Sequence, residues 1–307
     1  MKDLFGNENI STPVSVNIYA DEIQSKNYPY NNDIWHYIGL VVEDFNNPLL
    51  KDIIDERFCG NFDKESKYFN KNNKVIHWAD IRNADQKNIC KRWFEYILNP
   101  SKSQKGFYSY ILGINDSKLI KEEFDSKDDF NSKYNRFFRS AVLYALKTFF
   151  SNKKIIVKNI FHEVGQQQEN QYFPWHCICK LEEENITFEC REITFLPKDH
   201  KKDKKSNLIQ LCDCILGAST SIIHGVEKSA KSNYRETLMD LYSPLFQRII
   251  NRPKNKNSSY KYYNRIIIRF FPKEKTSLGD RKRYLNQFYI ERTLYYIEQK
   301  SGQQYLF

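Results

Sequence analysis

Asp21 and Glu22 follow the alternating run Val14, Val16, Ile18 and Ala20, so a strand of period two leads into two carboxylates. Holding such a pair still at the end of an apolar strand is costly unless a cation meets it, and a divalent metal is the commonest such partner at a catalytic site. The pair also suits a solvated strand end followed by a turn. Glu163 closes a second apolar run, Ile155-Ile156-Val157 and then Ile160-Phe161, directly after His162. Asp213 lies beside the helical stripe Leu208, Leu211, Cys212, Ile215, Leu216 and Ser219, an odd place for a charge without a partner. Together, Asp21, Glu163 and Asp213 could hold two divalent ions, one activating water and one stabilising a leaving oxygen, which is the chemistry of phosphodiester cleavage. Asp21 would bridge both ions, Glu163 and Asp213 would each complete one side, and Glu22 is available as a fourth ligand. An all-oxygen set points to Mg²⁺ or Mn²⁺, and the lack of paired His and Cys ligands argues against a zinc enzyme. His77, in Ile76-His77-Trp78-Ala79-Asp80, could position water, shuttle a proton or touch phosphate; it could equally pack beside Trp78 at a strand edge. Asp80 is a weaker candidate.

The elements that must position these groups are legible from periodicity. After the first strand, residues 35–43 form a buried strand, close enough in sequence to pair antiparallel with it. Helical spacing covers 48–58 and 84–98, residues 62–73 read as irregular, and residues 44–106 form an insertion before a third strand at 107–114. A helix at 130–150 precedes a fourth strand at 154–164; a helix is expected at 169–184, a fifth strand at 186–196 and an amphipathic helix at 207–223. Beyond residue 225 come a helix at 234–250, a basic linker at 252–264, a strand at 266–271 and a last helix at 285–300. The expected organisation is a domain over 1–225 and a C-terminal extension over 226–307.

This order of elements, with an acid after the first strand, another after the fourth and a third in a late helix, resembles a ribonuclease H-like fold. That fold gathers these places around one metal-binding cleft. The chain also resembles the family called domain of unknown function 3800, over about residues 14–225. The resemblance rests on Asp21-Glu22-Ile23-Gln24 in place of Asp-Glu-Ser-Gly, on His77, on Glu163 in place of an Asp, and on Ile209-Gln210-Leu211-Cys212-Asp213 followed by Gly217-Ala218. It implies a ribonuclease H-like, metal-dependent nuclease, and a setting in prokaryotic genome defence or mobile-element biology. The expected fold class is therefore α/β: a mixed five-stranded sheet flanked by helices, with a helical insertion and an α+β extension.

Charge points the same way without naming a substrate. Lys and Arg total 48 against 38 Asp and Glu, a formal net charge of +10, alongside 21 Tyr and 22 Phe. A polyanion is the default partner of such a chain, although an AT-rich genome yields a similar composition. Lys198, Lys201, Lys202, Lys204 and Lys205 precede the helix carrying Asp213 and could contact phosphates of DNA or RNA, or form a solvated loop. Seven cysteines without a Cys-x-x-Cys spacing indicate neither a disulfide framework nor a zinc knuckle, though Cys177, Cys179, Cys212, Cys214 and His176 could in principle gather around zinc. No signal peptide is evident and no apolar run is expected to reach membrane-spanning length, so a cytoplasmic location is expected. Other readings are a non-catalytic nucleic-acid-binding or effector subunit with a protein partner or as a homo-oligomer, and a phosphohydrolase of small nucleotides.

Overall fold

Among the described residues, the alternating segments assemble into one mixed sheet, of seven strands rather than five. The computed structural model describes residues 12–28, 33–47, 49–103, 106–119, 130–151, 153–169, 173, 185–224, 233–250 and 265–271. The strands are β1 (Val14–Asn27), β2 (Ile34–Asp44), β3 (Phe107–Asn115), β4 (Ile155–Glu163), β5 (Ile186–Phe188), β6 (Thr194–Leu196) and β7 (Ile266–Phe271). Their order is β5-β4-β1-β2-β3-β7, with β6 also on β4. β1 pairs antiparallel with β2, and β2 with β3; β4 runs parallel to β1, β5 and β6, and β7 parallel to β3.

The helices are α1 (Leu49–Phe58), α2 (Lys67–Asn72), α3 (Ala84–Leu98), α4 (Pro100–Ser103), α5 (Phe130–Phe150), α6 (Ser206–His224) and α7 (Asn233–Ile250), with a 3-10 turn at Trp78–Asp80. Strand residues alternate between the two faces of the sheet, and each face has its own apolar core. Val16, Ile18 and Ala20 join Phe137, Phe138, Val142 and Leu146 of α5 on one side. Tyr19, Tyr37 and Val41 join the stripe of α6 and, beyond it, Trp93 of α3 and Tyr242 of α7 on the other. A mixed α/β sheet flanked by helices thus agrees with the expected class at that level.

Four details depart from the expectation. β1 does not stop at its acids but continues to Asn27, because Asp21, Glu22 and Ile23 still pair with Gly39, Ile38 and Tyr37 of β2 after the β4 ladder has ended at Ala20 and His162. The expected fifth strand is two short ones, since Phe188 and Thr194 flank five residues where their β4 partners Val157 and Phe161 flank three, and the surplus leaves the ladder. A short helix, α2, lies within the stretch read as irregular, capped by Ser66 Oγ, which accepts from Phe69 N at 3.0 Å. The strand of the C-terminal extension, β7, belongs to the main sheet. In addition, α6 is long and apolar enough to cross a membrane by length and composition, but 89% of its apolar window is buried inside the fold. Residues 252–264 and 285–300, Cys177, Cys179, His176 and most of 169–184 lie outside the described residues.

Candidate functional site

Sheet parity decides which acids meet. Asp21 shares the face of Tyr19, toward α6, while its neighbour Glu22 shares the face of Ala20, toward α5. Along β4, Phe161 contributes to the α6-side core and Ile160 to the α5 side, so His162 faces α5 and Glu163 faces α6. Asp21, Glu163 and Asp213 consequently converge from β1, β4 and α6 on one position, and that position holds an ammonium. Lys198 Nζ lies 3.4 Å from Asp21 Oδ2, 2.8 Å from Glu163 Oε2 and 3.4 Å from Asp213 Oδ1. The lysine side chain is 13% exposed, so this is an interior ion cluster rather than a surface pair.

Two of the three carboxylates are also held by backbone. Asp21 Oδ1 accepts from Glu22 N at 2.8 Å, and Asp213 Oδ2 accepts from Trp78 N at 2.6 Å. The second bond ties the 3-10 turn to α6, and Gly217 makes it geometrically possible: a β-carbon there would collide with the Trp78 ring. His77 stands at the mouth of the cluster, its side chain 39% exposed, with Nε2 3.7 Å from Asp213 Oδ1 and Nδ1 3.3 Å from Asp80 Oδ2.

Burial and mutual repulsion shape the protonation of the cluster. Burial pushes Glu163 upward, and the Asp21 charge and their shared hydrogen bond push it further, beyond what Lys198 offsets. Burial also opposes charge on Asp21, but Lys198, the bond with Glu163 and the Glu22 amide together hold its carboxyl below the usual range. Burial and repulsion thus drive the two carboxyls apart, Glu163 upward and Asp21 downward. Burial raises Asp213 as well, partly offset by Lys198. For Lys198, burial disfavours the charge, yet Asp21, Asp213 and Glu163 overcome it and hold the amine firmly protonated.

Glu22 is not brought to this cluster. Its Oε2 lies 3.2 Å from His162 Nε2 on the opposite face of the sheet, correcting the expectation that it could be a fourth ligand. His162 is fully buried, with Tyr134 Oη of α5 2.6 Å from Nε2 and the Glu163 carbonyl 2.7 Å from Nδ1. This Glu22–His162–Tyr134 group was absent from the sequence-derived candidates, although period two along β4 would have separated His162 from Glu163. Lys201, Lys202, Lys204 and Lys205 are exposed as expected, whereas Lys198 points inward.

Gln210 is a further organiser that charge patterns could not reveal. Buried on α6, it donates from Nε2 to the Lys198 carbonyl at 2.6 Å, while its Oε1 accepts from Arg57 Nη2 at 2.6 Å and Ile76 N at 2.9 Å. One amide thus sets the loop carrying Lys198 and the segment carrying His77 one helical turn from Asp213.

Three carboxylates form a hard, all-oxygen donor set that suits Mg²⁺ or Mn²⁺, and among the described residues the buried Asp21 Oδ2 takes no hydrogen bond from an N–H, only the charge of the ammonium 3.4 Å away. No group of three acids, imidazoles or thiols among the described residues stands as a ready metal cage; the ammonium occupies the point the three carboxylates share. The donors fit the ion once that ammonium has moved. No protein-family model matches the chain, and no curated protein matches its sequence.

Proposed function

We propose that the chain is a Mg²⁺- or Mn²⁺-dependent nuclease of ribonuclease H-like fold that hydrolyses phosphodiester bonds of DNA or RNA. The observation that carries this reading is the convergence of Asp21, Glu163 and Asp213, from three separate elements, on one cation position. The fold assignment is supported by the strand order β5-β4-β1-β2-β3 with β2 antiparallel to its neighbours, and by α5 and α6 covering opposite faces. Function does not follow from fold alone, so the site bears the weight.

A divalent ion held by these carboxylates would supply an activated water and a counter-charge for the phosphate. The protein's own groups do the rest. Asp213, fixed by the Trp78 amide, and Asp21, fixed by the Glu22 amide, are preorganised donors, and Glu163, whose carboxyl burial and the Asp21 charge push upward, completes the set. His77 lies at the mouth, where an imidazole can orient water or return a proton to a departing oxygen. The exposed Lys201, Lys202, Lys204 and Lys205 supply a basic edge for flanking phosphates.

A second reading has an observation in its favour. The Lys198 ammonium already occupies the point the carboxylates share, as it would in a non-catalytic nucleic-acid-binding subunit. Cleavage of labelled single- and double-stranded DNA and RNA with Mg²⁺, Mn²⁺ or EDTA, comparing wild type with Asp21→Asn and Asp213→Asn, separates the two. Metal-dependent cutting lost in both folded variants supports the nuclease. No cutting in any condition, or cutting that survives both changes, favours the binding subunit.

A further inference from the structure

The amine among the carboxylates is the least expected feature of the molecule. Five lysines lie between residues 198 and 205, and four of them are exposed. Lys198 alone turns inward, across three acids donated by β1, β4 and α6. Its backbone has little freedom: β6 ends at Leu196 beside Glu163, Ser206 Oγ donates to the Pro197 carbonyl at 2.6 Å, and Gln210 holds the carbonyl of Lys198 itself. Its side chain is differently placed. A four-carbon stem on a fixed root can swing a charged head over several ångström by rotamer changes alone.

Charge accounting makes the inward position conditional. Three acids share the site with a single ammonium, and a dication brings to the same place a charge that a monocation cannot. The ammonium lies among Asp21 Oδ2, Glu163 Oε2 and Asp213 Oδ1, so a dication held by the same three side chains would exclude it.

We propose that the Lys198 ammonium is a built-in competitor for the divalent ion: it fills the carboxylate cluster at rest, swings out when the ion binds, and is then the nearest amine for a phosphate oxygen of the substrate. This inference rests on reading the cluster as a divalent-ion site. It adds a regulation to that site, since occupancy by Lys198 lowers the apparent affinity for the ion, and a polyanion that captures the released amine raises it again.

The test uses the full chain and Mn²⁺ as probe. Calorimetric titration of wild type and Lys198→Met is expected to show Mn²⁺ binding about tenfold or more tighter in the variant, because the competitor is gone. The variant leaves acids without their ammonium and can fail to fold, so a second measurement uses wild type alone. Lysine acylation read by peptide mass spectrometry is expected to find Lys198 protected without Mn²⁺ and several-fold more reactive at saturating Mn²⁺, with exposed Lys154 unchanged. Mn²⁺ bound equally by both proteins, or bound by wild type while Lys198 stays protected, overturns the competitor and leaves the metal site standing. Mn²⁺ bound by neither overturns both.

Discussion

Gln210 donates its side-chain amide to the carbonyl of Lys198 at 2.6 Å, so the helix that presents Asp213 also anchors the residue that neutralises it. The other end of the same amide meets Arg57 and Ile76 N. Acid, amine and imidazole-bearing segment are registered to one another through a single buried group. Removing it would leave a buried guanidinium and a backbone amide short of an acceptor. Gln210→Ala should therefore cost about 2–4 kcal/mol in urea unfolding. Gln210→Glu keeps both acceptor bonds but cannot donate to Lys198; it should retain more of the stability while altering Mn²⁺ affinity. Equal stability losses in the two variants would refute this division of roles.

Gly217→Ala tests the seat of the Trp78 ring. Alanine in a helix interior is ordinarily stabilising by up to about 1 kcal/mol, but here the added methyl meets the indole. The collision should dominate, giving a net loss of about 1–3 kcal/mol and a weaker grip of the Trp78 amide on Asp213. A variant as stable as wild type would show that the 3-10 turn does not rest on α6 in this way.

His224 should make the protein acid-sensitive. It is 2% exposed, stacks on Tyr28 and meets Tyr37 Oη at 2.6 Å; burial, with Lys26 adding to it, pushes its imidazole down to about 3. Its folded pKa lies below the unfolded value, so below about pH 6.5 the unfolded chain takes up a proton that the native state refuses. Stability present above pH 6.5 is then lost toward pH 3, by at most about 1.4 kcal/mol per pH unit from this residue. Urea midpoints of His224→Asn at pH 7.5 and 5.5 should differ less than those of wild type. An unchanged difference would assign the acid sensitivity to other groups.

The lysine run should govern salt dependence. Replacing Lys201, Lys202, Lys204 and Lys205 by Ala is expected to leave the melting temperature near wild type, since all four are exposed. In fluorescence anisotropy, the slope of log affinity for an oligonucleotide against log salt should flatten by about 0.7–0.9 for each lysine that contacts phosphate. A slope equal to that of wild type would remove this loop from the binding surface.

Much of this arrangement could be read from residue order. Asp21, Glu163 and Asp213 were legible because acids adjoining apolar runs need a partner, and the strands and helices bearing them have clear periods. The extension of β1 was not, because Gln24, Ser25 and Lys26 offer no apolar alternation; the ladder with β2 skips Gln24 and Ser25 as a bulge and resumes where Lys26 meets Trp35. The inward turn of Lys198 was hidden among identical neighbours. Its clue was position, next to a strand end that the β4 ladder sets beside Glu163, and that pairing is a tertiary fact. Likewise, Glu22 and Asp21 adjoin in sequence but separate in space, a consequence of period two that becomes visible once the strand is seen not to end between them.

The pairing of β7 with β3 bears on how the chain reaches its native state. Ser109 through Ile114 take their partners from Ile266 through Phe271, roughly half the chain later. During synthesis, β3 is an open sheet edge until those residues leave the ribosome, and Ile111, Leu112 and Ile114 flank unsatisfied amides and carbonyls in the meantime. A late-arriving edge strand of this kind makes the nascent chain a target for strand addition by its own copies, and ties its solubility to the completion of a segment remote from the chemistry.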